Sequence, residues 1–470
     1  MKKIKSLFKT AAMRQGTYRV ALTVMVVAVV IIINLMAGLI PEGYRNLDVS
    51  STNIYEISDT SKKLLASLDK KVTFTVLAVK EETDDRIKTF LSKYAALSDN
   101  IEVEWIDPVL HPSALTEYNT QENTMVVECQ DTGKSKTVAF TDIIVTDMYS
   151  YYYTGTASES EFDGEGQLTS AVNYVTNDET KKIYTDTGHG ESSLSGTITD
   201  LMEKNNYTTE EYNLLMNPTV PEDCDLLLFY APSTDLSEEE KEGIDSYLSD
   251  GGKVLLILGD VVADDLPRFA SVMQEYGIEG TQGYIADPQR CYQGNYYYIF
   301  PELSLDTDMA EGISSEMVLL INAHGLNLVD PERETISVSA FMSTSDGAYD
   351  VTETAQEQGA YVLGAVATEN VSSDGEEDTK ASRLTVISAA SMIDSQITDV
   401  FSQLDNTTLF MNAVASNFEG VTNLSIEPKS LAVEYNTVQY GGWFSLLVIF
   451  GIPLVILIGG FVIWLRRRKA

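Results

Sequence analysis

Two long uncharged apolar runs, one near each end, limit what this chain can fold into more than any other feature. Val20 to Ile40 spans 21 residues with Asn34 as its only strongly polar member, and Trp443 to Leu465 spans 23, interrupted by Pro453. At 1.5 Å per helical residue each run covers roughly 30 Å, the thickness of bilayer hydrocarbon. Both are bordered by cations. Residues 1–19 hold Lys2, Lys3, Lys5, Lys9, Arg14 and Arg19 without an acid, and residues 466–469 are Arg466, Arg467, Arg468 and Lys469. Basic flanks stay on the cytoplasmic side. The expectation is two transmembrane helices, 20–40 and 443–465, with basic cytoplasmic tails at 1–19 and 466–470 and everything between them outside. The first run is longer than the ~7–15-residue apolar core of a cleaved signal peptide, and no A-x-A-like site follows it. Trp443 and Trp464 bracket the second run as an interfacial belt does.

Charge and cysteine content narrow the function. The chain has 470 residues, 32 Lys+Arg and 70 Asp+Glu, and outside the basic tails 22 cations face all 70 acids. Such a surface repels nucleic acid. Three separated cysteines, Cys129, Cys224 and Cys291, exclude a disulfide scaffold. With only His111, His189 and His324 besides, a zinc or iron site built from His and Cys is not expected, nor is any cofactor.

Periodicity divides the outer part into two α/β units. Ser58 suits an N-cap before Leu64, Leu65 and Leu68; Val72, Phe74 and Val76 alternate as a strand. Ile87, Phe90, Leu91, Tyr94 and Leu97 have helical spacing, and Ile101, Val103 and Trp105 alternate again. Met125–Glu128 and Thr137–Ile144 flank Asp131-Thr132-Gly133 as a hairpin. This predicts a small domain over 45–150 whose order would suit a thioredoxin-like sandwich, without the CxxC that redox chemistry needs. Residues 151–167 read as a linker. Beyond it Leu168–Ala171 reads as helix and Ile183–Thr187 as strand. Asp225–Tyr230 is a buried run, Ser237 and Glu240 form a capping box, Gly251-Gly252 ends that helix and Lys253–Leu258 is a further strand. Strand, helix, strand at this spacing implies parallel pairing, hence a doubly wound domain over 168–425, followed by a juxtamembrane segment at 426–442.

Few residues carry chemistry. Gly188-His189-Gly190-Glu191 stands between a strand and a predicted helix, where amides could hold a small acidic or glycan ligand. The same glycines also serve a tight turn, with Glu191 favourable near a helix dipole. No G-x-S-x-G or equivalent Cys turn occurs, and Cys224 precedes its strand. Gly133-Lys134-Ser135 lacks the first glycine of a phosphate loop, position 128 being Glu. Tyr149 with Tyr151-Tyr152-Tyr153, and Tyr292 with Tyr296-Tyr297-Tyr298, are either an aromatic platform or loop packing. Asp374–Asp378 reads as a solvated acidic loop, poorly matched to a calcium loop.

These residues resemble the GldG-like auxiliary proteins of ABC transporters. Leu47-Asp48, Tyr55-Glu56-Ile57-Ser58 and Leu68-Asp69-Lys70 resemble the family's first helix and strand. Leu168-Thr169-Ser170-Ala171 followed by Gly188-His189-Gly190-Glu191 is its most specific pair of motifs. Asp225, Pro232, Leu236-Ser237, Glu240 and Gly251-Gly252-Lys253 complete the pattern, whereas Ala389-Ala390-Ser391 stands where relatives tend to show Gly-Asp-Ser. The resemblance implies extracytoplasmic α/β domains, the larger amidotransferase- or flavodoxin-like. It implies a non-enzymatic role in the cell membrane beside an ABC-2-type permease and its ATPase. The competing expectation is a stand-alone surface receptor for a glycan or peptide. Protease added to intact, wall-stripped cells should remove most of residues 45–440 and spare both tails; a protected middle segment would refute this orientation.

Overall fold

The structure is a computed structural model and describes residues 53–147, 158–177, 180–305, 307–313, 317–371, 380–401, 403–418 and 423–431, with a few isolated positions nearer the ends. The runs 20–40 and 443–465, the Tyr149–Tyr153 cluster and the Asp374–Asp378 loop therefore lie outside the described residues, apart from a few positions in the two runs. Among the described residues, no helix is long and apolar enough to cross a membrane.

The first unit is built on a four-stranded sheet. Its strands are β1 (Val72–Leu77), β2 (Ile101–Ile106), β3 (Thr124–Cys129) and β4 (Lys134–Ala139), in the order β2-β1-β3-β4. β1 and β2 run parallel across the helix Asp85–Ala95, and β3 and β4 form the hairpin that Gly133, at φ +69°, turns. Ser58 caps the helix Asp59–Ala66 as expected. The second hairpin strand stops at Ala139, short of the expected Ile144, because Phe140–Ile143 winds into one helical turn.

The expected linker needs correction. Within 151–167 the described residues form β6 (Ser158–Phe162), which pairs with β5 (Ile144–Asp147), and the start of the helix Gly164–Thr176. Leu168, Ala171, Val172 and Val175 of that helix are buried with Phe74, Phe90 and Met125. The Leu168–Ala171 motif therefore closes the core of the first unit instead of opening the second. Its polar members serve the same end. Thr169 Oγ1 lies 2.8 Å from Ser61 Oγ and 2.9 Å from the Tyr94 hydroxyl, and Glu165 accepts from Ser58 N and Ser61 Oγ, both at 2.7 Å. Buried polar groups need such partners, so this network fixes the helix against both neighbouring helices. Tyr-, Ser- and Gly-rich composition signals a loop only when pairing partners are ignored. Here β5 and the C-terminal strand Lys429–Ser430 supply them.

The second unit is a large mixed sheet. Five of its strands run parallel: β7 (Lys181–Asp186), β8 (Tyr207–Tyr212), β9 (Leu226–Tyr230), β10 (Lys253–Ile257) and Lys380–Ile387. In space they stand β8-β7-β9-β10-(380–387), the 2-1-3-4-5 order of a doubly wound sheet. All of Leu226–Tyr230 is buried, with Leu226, Leu228 and Tyr230 in one apolar cluster and Leu227 and Phe229 in another. The helices Gly196–Lys204 and Asn406–Ala415 cover the first face; Glu238–Ser249 and Pro267–Glu275 cover the second. Between β10 and Lys380–Ile387 the chain extends the sheet with antiparallel strands, including Ile278–Ala286, Ile336–Ser343 and Val362–Val371. Tyr292 and Tyr296–Tyr298 also belong to strands, not to a loop. Cys291–Tyr292 and Asn295–Ile299 pair around Gln293 and Gly294, whose positive φ values of 51° and 80° make a tight hairpin turn.

The two units are joined at the end of the helix Gly196–Lys204. Lys204 Nζ lies 2.8 Å from Asp163 Oδ2 and 2.6 Å from Asp200 Oδ2, and Lys204 and Asp163 are both buried. Lys136 of β4 donates to Ser170 Oγ at 2.8 Å and to Asn206 Oδ1 at 3.1 Å. Burial pushes the Asp163 carboxyl up to about 6 against the opposing pull of Lys204, while at Lys204 the carboxylates outweigh burial and raise its pKa. A raised acid binds its proton more tightly when folded. Its contribution to stability is therefore full below the unfolded value of about 4 and is lost as pH rises through 6. Unfolding of the purified full chain across pH 4–7 should show this slope, worth about 3 kcal/mol. Asp163→Asn should flatten it, and parallel profiles for the two proteins would contradict the assignment.

Candidate functional site

In a parallel sheet of 2-1-3-4-5 order the connections leave in opposite directions at the first and third strands, which opens a crevice at their carboxyl ends. Here those strands are β7 and β9. The segment after β7 is Thr187-Gly188-His189-Gly190-Glu191, so the motif picked from the sequence sits at the switch point.

It does not sit at a helix N-terminus, however. The following helix starts at Gly196, with Ser195 as N-cap accepting from Ile198 N. Four residues, Ser192 to Ser195, separate it from Glu191, and Ser192 N donates to Tyr230 O at 2.9 Å, which holds this stretch beside β9. Two of the motif's amides are also already engaged. Gly188 N and His189 N donate to Glu191 Oε2 at 2.9 and 2.8 Å, so the chain's own carboxylate takes the place of an external anion. Ser233 N and Thr234 N donate to His189 O at 2.8 and 2.9 Å, which ties the loop to the chain leaving β9.

The His189 ring is the centre of the arrangement and is only 1% exposed. Nδ1 lies 2.6 Å from Asp186 Oδ2 and 3.3 Å from Glu191 Oε1, and Nε2 lies 3.2 Å from Glu240 Oε1. Each carboxylate is oriented by its other oxygen. Asp186 Oδ1 accepts from Leu214 N at 3.0 Å, Glu191 Oε2 from the two loop amides, and Glu240 Oε2 from Ser237 N at 2.6 Å. Burial disfavours the imidazolium, but hydrogen bonds to Asp186 and Glu191 and the charges of Asp186 and Glu240 outweigh it and raise the His189 pKa to about 10. Burial also raises the Asp186 pKa. Glu191 goes the other way: against burial, hydrogen bonds from His189, Asp186 and the Gly188 amide bring it down to about 2.

Sequence reasoning found Gly188 to Glu191 and, as a helix cap, Glu240. It missed Asp186, read only as strand, and the convergence of Glu240 on His189. An acid ending a buried strand three residues before a histidine was the available signal for Asp186. Nothing in the sequence places Glu240 beside a residue 51 positions earlier.

A cavity of about 500 Å³ adjoins the loop and is lined by Asp186, Gly188, Gly190, Glu191, Glu211 and Tyr230 among others. Two further features bear on chemistry. Ala231, at the end of β9, has φ +53° and donates from its N–H to Ile257 O at 2.8 Å. A strained turn after a sheet strand is where a nucleophile elbow carries its nucleophile, and here the side chain is a methyl group. Cys224 lies at the other end of β9, and burial pushes its thiol up to about 11, away from the thiolate form. Gly133-Lys134-Ser135 lies in the hairpin between β3 and β4, not between a strand and a helix, and so makes no phosphate cradle.

Residues 51–146 match a family described as a domain of unknown function (DUF7088), and residues 180–296 match the family described as an ABC-type uncharacterized transport system. The second match is the one that the GldG-like resemblance implies, and it spans β7 to β10 with the loop between them. No curated protein matches the chain in sequence. Among solved structures, the N-terminal domain of mmIFT52 is 14% identical, with 51% of this chain and 98% of that one covered at a TM-score of 0.38. A ThuA-like protein from Parabacteroides merdae is 11% identical, with 54% and 98% covered at a TM-score of 0.29. The cytoplasmic protein STM3548 from Salmonella typhimurium is 10% identical, with 50% and 97% covered at a TM-score of 0.29. At these scores the α/β assignment rests on the strand order itself.

Gly190 tests the packing of the loop. It has φ +76°, and a Cβ there would stand 2.1 Å from Ser233 Oγ, whereas a Cβ on Gly196 meets nothing within 4 Å. Gly190→Ala should cost about 1–3 kcal/mol, and Gly196→Ala should leave stability within about 0.5 kcal/mol. Equal melting temperatures for the two variants would contradict this geometry.

Proposed function

We propose, proceeding from the ABC-type transport-system domain at residues 180–296, that this chain is a non-catalytic, membrane-anchored auxiliary subunit of an ABC-2-type transporter, with both α/β units outside the cytoplasm. The observation that carries the anchored reading is the meeting of the two ends of the folded part. Lys429–Ser430 pairs with Glu161–Phe162 of β6, and Lys429 Nζ donates to Asn53 O at 3.2 Å and to Glu56 O. The chain thus enters and leaves the folded part at one place, with only residues 41–52 and 432–442 separating it from the two apolar runs. Two spans in one bilayer are readily accommodated by that placement.

The non-catalytic reading is supported by Ala231 at the strained turn and by the raised Cys224 thiol. A partner supplies the energy on this reading, because Gly133-Lys134-Ser135 belongs to the turn and second strand of a hairpin and two spans make no translocation path. Asn34 and the glycines Gly451, Gly459 and Gly460 in the apolar runs suit close packing against a permease. Mild-detergent purification of the tagged full chain, with its neighbouring genes expressed, should recover a multispan permease and a Walker-motif ATPase. Recovery of this chain alone across several detergents would favour the stand-alone receptor.

A further inference from the structure

We propose that Asp186, His189 and Glu191 form a binding site for one divalent transition cation, with Glu240 as its outer support. The proposal is independent of the transport role and rests on how the four side chains are oriented.

The donor atoms converge. Asp186, His189 and Glu191 each offer a ligand atom within 4.8 Å of the other two, and His189 Nδ1 stands 2.6 Å from Asp186 Oδ2 and 3.3 Å from Glu191 Oε1. The atoms that face away from this point are the ones held by other groups: Asp186 Oδ1 by Leu214 N, and Glu191 Oε2 by the amides of Gly188 and His189. The inward Glu191 Oε1, on a side chain only 4% exposed, has His189 Nδ1 at 3.3 Å as a neighbour but no aligned hydrogen bond. A buried carboxylate oxygen without an aligned donor is costly, and a cation at the convergence point removes that cost.

The outer arrangement fits as well. A histidine that ligates a metal through one nitrogen donates the other N–H to a carboxylate. His189 Nε2 faces Glu240 Oε1 at 3.2 Å, both atoms are buried, and neither has an aligned hydrogen bond as it stands. With a cation on Nδ1 the proton resides on Nε2, and Glu240 accepts it.

Distances allow the ion with a small adjustment. Bonds of about 2.0–2.2 Å in a tetrahedral shell put neighbouring donors roughly 3.3 Å apart. The Nδ1 to Glu191 Oε1 separation is already 3.3 Å, and the Asp186 oxygen at 2.6 Å must retreat by roughly 0.7 Å. One nitrogen and two carboxylates suit zinc or manganese. Because Asp186 and Glu191 also line the cavity of about 500 Å³, a fourth position opens toward it, where water or an oxygen ligand completes the shell.

The competing reading is an imidazolium held in a cage of carboxylates with no metal, and the two differ in their protons. An ion arriving at Nδ1 displaces the proton held there. Metal-stripped full chain in detergent, titrated calorimetrically with Zn²⁺ and separately with Mn²⁺ in buffers of differing ionisation enthalpy, should bind one equivalent of at least one ion. About one proton should be released per ion bound near pH 7. Glu191→Gln should weaken that binding more than 100-fold, and Glu240→Gln by about 10–100-fold, the range for an outer-shell partner. Circular dichroism establishes that each variant is folded, and Glu240→Gln keeps the test open should Glu191→Gln not fold. The proposal is overturned if the folded wild type holds neither ion stoichiometrically. It is equally overturned if binding persists unchanged in both folded variants, since that places the ion at other groups such as Cys291 or His111, or if no proton is released.

Discussion

Burial of β9 and its neighbours on both faces is the constraint on which the rest of this structure depends. Leu226 to Tyr230 exposes no side to water, and its residues alternate between two separate apolar clusters. A fully buried Leu contributes roughly 1.5–3 kcal/mol only while its face stays covered. Helices must therefore lie on both sides, and parallel connections that alternate sides produce the switch point between β7 and β9. The crevice, the loop that fills it and the cavity beside it all follow from that one requirement.

The loop at the crevice is held by charge more than by apolar contact. His189 is enclosed by acids that come from the end of β7, from the loop itself and from the first turn of the helix Glu238–Ser249. In a buried setting such interactions are strong, and an uncompensated partner is costly. The ring therefore positions three segments at once. Glu191 Oε1 and Glu240 Oε1 stand 3.3 and 3.2 Å from the ring nitrogens without aligned hydrogen bonds. The proposed divalent ion would engage the first of these oxygens directly and the second through the ring.

A second dependence links the sheet to the ends of the chain. The helix Gly164–Thr176 completes the first unit, and Lys204 at the end of the next helix reaches back to Asp163 beside it. The C-terminal strand Lys429–Ser430 returns to β6. The small unit is thus assembled from segments more than 300 residues apart in sequence, and the large unit is threaded between them. The proposed anchoring at both ends suits this topology, since the segments next to both runs belong to the same unit.

Local signals in the sequence determined the elements. The Ser58 cap, the Ser237–Glu240 capping box, the turns at Gly133 and Gly251 and the apolar runs of β9 and β10 each depend on neighbours within a few residues, and each forms as its pattern requires. The α/β class and the parallel core followed from their succession. Tertiary structure alone decided membership and meeting. It assigned Leu168–Ala171 to the first unit, turned Ser158–Phe162 into a strand, moved the helix start from Glu191 to Gly196, and brought Asp186 and Glu240 to His189. The physical reason is range: caps, turns and periodicity act through the chain over one or two turns, whereas strand pairing and buried charge act through space, between residues whose separation in sequence carries no record of their contact.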